Sequence, residues 1–241
     1  MVILYQFPIS HFCEKARWAL DYKGIPYKVK NLLPGPHVKQ VMSIAKRSEV
    51  PVLKHEANII QHSDKIIDYL DEKFTDHRLT PVDDETRVKA LEWEAFVDKE
   101  VGPNLRTFFY HSLLDHPKLL IPIFTYKGPW YGKILMKFFF PALRLKMIKL
   151  MRINDETALQ AKLDLKLAID KLNLHLSEHK FLAGDTFSRA DLAAASLLAP
   201  LVQPDKYGLP WPSPLPAALQ TTIDEWSGEL EWVKQLYIEY R

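Results

Sequence analysis

The stretch Ser10-His11-Phe12-Cys13-Glu14-Lys15-Ala16-Arg17, set directly after the run Val2-Ile3-Leu4-Tyr5-Gln6-Phe7, decides how the chain is read. Val2 to Phe7 is β-branched and aromatic, the composition of a buried strand, and Pro8 ends it. From Phe12 to Tyr22 the apolar residues Phe12, Ala16, Ala19 and Leu20 recur at helical spacing. Gly24 and Pro26 then supply the stop signal. Outward from there the alternation continues: a strand over Tyr27 to Leu32, a short helix over Val38 to Ala45, and a strand Val50-Pro51-Val52-Leu53. That strand opens at a proline, where a missing N–H is tolerated. A short strand over Asn58 to Ile60 follows. Ser63 then stands as N-cap of a helix with Ile66, Ile67, Tyr69 and Leu70 on its inner face. The order β-α-β-α-β-β-α predicts one α/β unit over residues 1–74.

Beyond it the strand signals stop. Residues 75–83 are polar with one proline and read as a linker. Asp84 to about His111 is one long helical pattern, and Glu156 to Glu178 another, with Leu165, Ile169, Leu172 and Leu176 at helical spacing. Ser188-Arg189-Ala190-Asp191 matches a capping box ahead of the apolar run Leu192 to Leu201. A pair of short helices is expected over Leu215 to Tyr240, after a proline cluster from Pro200 to Pro216. An α/β unit segregated from a run of helices argues for two domains, 1–74 and 84–241, joined by 75–83.

Composition narrows the function classes. With 32 Lys and Arg against 30 Asp and Glu the net charge is +2, which gives no electrostatic footprint for nucleic acid. The single cysteine, Cys13, excludes an internal disulfide framework and fits a reducing compartment. Neither a signal peptide nor a transmembrane run is expected, so a cytoplasmic location is. Nine histidines without paired ligand spacing predict no metal site.

Three stretches together, Ser10 to Arg17, Val50 to Leu53 and His62-Ser63 to Leu70, resemble the cytosolic glutathione transferase superfamily, and Phe181 to Asp191 is similar to its C-terminal-domain signature. The resemblance implies a thioredoxin-like α/β domain followed by an α-helical bundle, with glutathione as co-substrate and a homodimer as the assembly. The thiolate is the nucleophile in such chemistry. With a reference pKa of roughly 8.5, only about 3% of a thiol is ionised at pH 7, and lowering that pKa by about two units is worth roughly 2.7 kcal/mol. Ser10, at a helix start, is the candidate donor to that sulfur; as a residue it is equally a plain N-cap. The resemblance further implies a cis bond at Val50–Pro51, with the Val50 backbone pairing with glutathione like an added strand. It also implies that Ser63 offers its hydroxyl and helix N–H groups to the γ-glutamyl carboxylate. His62 stands where the family commonly has an acid or amide, and Ser48-Glu49 where Gly-Lys is frequent; Lys39, Lys46 or His37 can then take the glycyl carboxylate.

Cys13 carries a second reading. Ser10-His11-Phe12-Cys13 occupies the place of the Cys-x-x-Cys pair of thioredoxin-like proteins, with the first cysteine replaced by serine. A glutathione-dependent thiol oxidoreductase using Cys13 is therefore an alternative, beside the plain reading of a buried small hydrophobe. For the second-substrate pocket the candidates are Phe108 and Tyr110, at the end of the first long helix, with Trp130 and Tyr131. Residues 116–154 hold eight Lys or Arg, no Asp or Glu, and many aromatic and aliphatic residues, and Pro122, Pro129 and Pro141 are expected to break them into short pieces. Three readings compete there: the solvated face of packed helices, a lid over an apolar pocket, and a surface that rests on anionic membrane in a non-catalytic relative.

Overall fold

The computed structural model describes residues 1–241. Its first part is β1 (Val2–Gln6), α1 (His11–Tyr22), β2 (Tyr27–Asn31), α2 (His37–Met42), β3 (Val52–His55), β4 (Asn58–Gln61) and α3 (Ser63–Lys73). The sheet order is β2-β1-β3-β4; β2 is parallel to β1, and the β1–β3 and β3–β4 pairs are antiparallel. The register gathers three strand ends. Tyr5 faces Val52 and Val52 faces Gln61, so the C-terminal ends of β1 and β4 and the N-terminal end of β3 lie at one edge. The His62 N–H donates to the Pro51 carbonyl at 3.3 Å, carrying that pairing one step past the strands.

After the irregular residues 75–83 only helices follow: α4 (Asp84–Phe96), α5 (Gly102–Leu113), α6 (Pro117–Phe124), α7 (Gly132–Met151), α8 (Asp155–Leu176), α9 (Arg189–Val202), α10 (Ala217–Trp226) and α11 (Glu231–Tyr240). The apolar run expected from Leu192 is α9, every residue of which from Arg189 to Leu201 is buried. Such all-round burial is what a helix without a polar face requires. Its capping box is formed: Asp191 accepts from the Ser188 N–H at 2.9 Å, and also from the Leu182 N–H at 2.8 Å.

Three expectations need correction. The pattern from Asp84 is not one uniform helix. Val97–Val101 is a π-helical turn, and the Gly102 N–H reaches back to the Val97 carbonyl. Pro103 has no N–H to donate to Lys99, so the ladder slips by one residue here. Pro141 does not break the chain either. It sits inside the continuous helix α7, and both Pro141 and Lys137, whose carbonyl loses its partner, are exposed to water. Finally, Ser63 is the first residue of α3 rather than its cap; His62, at φ 76°, takes the cap position.

The two parts share one hydrophobic core across α1 and α9. Buried charge sits at this seam. Lys15 meets Glu94 at 2.8 Å and Asp98 at 2.7 Å. Arg189 reaches Glu94 at 2.5 Å and Asp68 at 2.6 Å. Buried charges persist only when paired this closely, because an ion left alone in the interior is strongly disfavoured.

Candidate functional site

A cavity of about 540 Å³ opens where that sheet edge meets the helical part. Ser10 is in its wall. It caps α1, its Oγ accepting from the Cys13 N–H at 3.3 Å, so its own O–H proton is free to donate. The loop that carries Ser10 is clamped from both sides. Tyr207 Oη donates to the Ile9 carbonyl at 2.7 Å. Arg17 donates to the Pro8 and Tyr207 carbonyls at 3.3 Å and to Gln6 Oε1 at 2.5 Å.

The β3 side of the wall is the segment Ser48-Glu49-Val50. Val50–Pro51 is a cis peptide, as the resemblance implies. Gln61 holds this segment in place: its Nε2 donates to the carbonyls of Arg47 and Glu49, both at 2.8 Å. Pro51, His62 and Ser63 lie beside it through the strand pairing, outside the wall itself. Ser63 is buried, and its hydroxyl makes no hydrogen bond within the protein. His37 lines the cavity, edge-on to Phe7 at 4.7 Å, with its Nδ1 accepting from the Gly35 N–H at 3.0 Å. Burial holds the His37 imidazole below its ordinary pKa. Lys39 is exposed on α2 and is not in the wall.

Cys13 is fully buried and is not in the wall. Burial pushes its thiol pKa up. Both facts oppose a nucleophilic role, which needs an accessible thiolate.

The opposite wall comes from the helical part. Leu105, Phe109 and Tyr110 of α5 face Met147 and Leu150 of α7, and the proline-rich segment contributes Trp211. Burial pushes the Tyr110 phenol up to about 12, so it stays a neutral donor. Phe108 does not join this wall. It is buried on the other side of α5, where Lys162 lies 5.8 Å from its ring centre. Trp130 and Tyr131 are placed outside as well: they precede α7 as exposed residues.

Two nitrogens in this wall lack partners. His11 is buried, and its Nε2 has no hydrogen-bond partner; Arg106 Nε is equally unpaired. Burial, and then the neighbouring Arg106 charge, lower the His11 pKa from 6.5 to about 3, so its ring is neutral. Reading the sequence did not find His11, Arg106, Gln61 or Tyr207. Only the proline cluster signalled in advance that the segment around Trp211 was special.

A helix N-terminus, a cis-proline bend and an apolar cavity thus meet at one edge of a thioredoxin-like sheet. The family model described as "Glutathione S-transferase, N-terminal domain" matches residues 4–78, and that described as "Glutathione S-transferase, C-terminal domain" matches residues 132–212. The chain belongs to the glutathione transferase superfamily.

Among curated relatives it is similar to glutathione S-transferase U4 of Arabidopsis thaliana, 31% identical over 42% of this chain and 46% of that one. It is also similar to a probable glutathione S-transferase of Nicotiana tabacum, 32% identical over 45% and 49%. The chain spans about half the length of the curated relatives it matches. Of solved structures, glutathione transferase F7 from Populus trichocarpa superposes with a TM-score of 0.67 at 14% identity, over 98% of this chain and 93% of that one. The beta-etherase LigF from Sphingobium sp. strain SYK-6 does so with 0.66 at 19%, over 99% of each. At such identity these two establish the shared fold alone.

Proposed function

We propose that the protein conjugates glutathione to an apolar electrophile held in the cavity between its two parts. The observation that carries this reading is Ser10, at the N-terminus of α1, with its hydroxyl proton free beside an apolar cavity. Glutathione lies along Val50 and Pro51, its γ-glutamyl carboxylate at Ser63 and the first N–H groups of α3. His62 shapes that turn, and His37 takes the place proposed for Lys39 at the glycyl end.

Ser10 Oγ–H donates to the sulfur, and the thiol proton leaves to water. The thiolate lone pair forms the S–C bond as the leaving group departs with its bonding pair. The electrophile has an apolar body, matched to the mostly apolar wall of the cavity. Cytoplasmic residence and a homodimer complete the reading; both are implied by the family.

The test is the initial rate of conjugation to an activated aryl halide. Ser10→Ala lowers the rate at pH 7 roughly 25-fold, the loss of thiolate fraction when the thiol pKa returns by about two units to its ordinary value. Cys13→Ser leaves the rate within about twofold. A wild-type rate no faster than buffer removes the transferase reading. A rate lost in Cys13→Ser and kept in Ser10→Ala moves the chemistry to the cysteine.

A further inference from the structure

Helix α7 is apolar on two opposite faces. Met136, Phe140 and Met147 pack inward. Ile134, Phe138 and Leu145, spaced four and seven residues apart, point into solvent with relative exposures of 60%, 79% and 64%. Trp130, four residues before Ile134, is 89% exposed. A helix apolar all round is ordinarily buried all round, and a contiguous exposed apolar patch marks a contact surface.

The charge around this face is one-sided. Residues 116–154 hold eight basic residues and no acid, while in the rest of the chain acids outnumber bases by 30 to 24. Lys133, Lys137 and Lys149 are exposed along α7 and make no ion pair. Two copies of this face meeting about a two-fold axis would bring like charges together, so a second copy fits it poorly. No helix is long and apolar enough to cross a membrane.

We propose that the outer face of α7, with Trp130, docks on the surface of an anionic lipid bilayer. The aromatic and aliphatic side chains enter the headgroup boundary while the lysines meet the anionic headgroups. Docking leaves the opposite side of α7, with Met147 and Leu150, in the cavity wall.

Co-sedimentation of the whole protein with vesicles tests this. The vesicles are phosphatidylcholine alone, or phosphatidylcholine mixed with phosphatidylserine, each at low and high salt. The expected result is binding to the mixed vesicles at low salt that falls as salt rises. Each lysine near such a surface is worth roughly fivefold in partitioning. Replacing Lys133, Lys137 and Lys149 with Gln therefore weakens binding about 100-fold. Phe138→Ser weakens it by roughly tenfold or more at either salt. All four side chains are exposed and outside the cavity wall, and circular dichroism checks that the variants fold.

No binding to mixed vesicles at low salt overturns the proposal, as does equal binding to neutral vesicles or binding that the variants leave unchanged. If Phe138→Ser instead changes the oligomeric state in velocity sedimentation, the face is a seam between copies and the proposal fails. None of these outcomes depends on whether the protein conjugates glutathione.

Discussion

Ser10 and His11 are neighbours with opposite legibility. Ser10 could be read because a hydroxyl at a helix start has a known physical use, as a cap or as a donor. His11 could not: its importance comes from α5, which brings Arg106 and the Gly102 backbone against it from a hundred residues away. Its buried neutral ring makes a stability prediction. The folded pKa, about 3, lies below the ordinary 6.5, so between those values the unfolded chain binds the extra proton. Stability from this group is complete above pH 6.5 and is lost as pH falls, at up to about 1.4 kcal/mol per pH unit. Asp191 works in the opposite sense: burial raises its carboxyl to about 6, which favours the folded state at low pH. The comparison that isolates His11 is therefore urea unfolding of wild type and His11→Gln between pH 7 and about 5. The variant should lose less stability on acidification. Identical pH slopes would show that the ring is not held neutral.

At the scale of elements, the α/β order was legible because each element carries its own period and its own stop signal. The π-turn was not, since it arises from Pro103 acting on a carbonyl four residues earlier, and the expected break at Pro141 failed for lack of burial. Candidate residues on strand ends were legible where pairing register gathers them. Val50, Pro51, His62 and Ser63 come together because β3 pairs with β4. Phe108 was not, since helix rotation decides which face meets a cavity, and Trp130 and Tyr131 were not, since they stand in the exposed turn before α7. Gly102 shows how tight the α1–α5 approach is. A Cβ there would lie 2.5 Å from the Phe12 ring and 3.1 Å from Leu197. Gly102→Ala should therefore destabilise the protein by about 1–3 kcal/mol despite the better helix propensity of alanine. Because Phe12 lines the cavity, the displaced ring should raise KM for the electrophile more than KM for glutathione. Denaturant unfolding and paired KM measurements check the two parts, and unchanged stability would mean that Phe12 yields freely.

For the molecule as a whole, the change from an α/β order to a run of helices was legible, whereas the seam where the two meet was not. Lys15, Glu94, Asp98 and Arg189 look in the sequence like any charged helix residues, and only the fold buries them together. Arg189→Met should cost about 3–5 kcal/mol in urea unfolding, because it strips a buried partner from Glu94 and an ion pair from Asp68. Lys166→Ala, which removes the solvent-facing pairs with Asp170 and Glu229, should cost no more than about 1 kcal/mol. Equal costs would mean that the seam is wetter than its burial indicates. This seam also fixes the cavity, since Tyr207 of the helical part holds the Ile9 carbonyl beside Ser10, and Arg17 of α1 bridges the Pro8 and Tyr207 carbonyls.

Thiol activation at Ser10 is tested most plainly by the ionisation of glutathione itself, read from thiolate absorbance as pH is raised with saturating protein present. Ionisation should occur about two pH units below that of the free thiol, with the shift largely abolished in Ser10→Ala. A titration that follows free glutathione in the presence of the wild-type protein would mean that Ser10 does not activate the thiol.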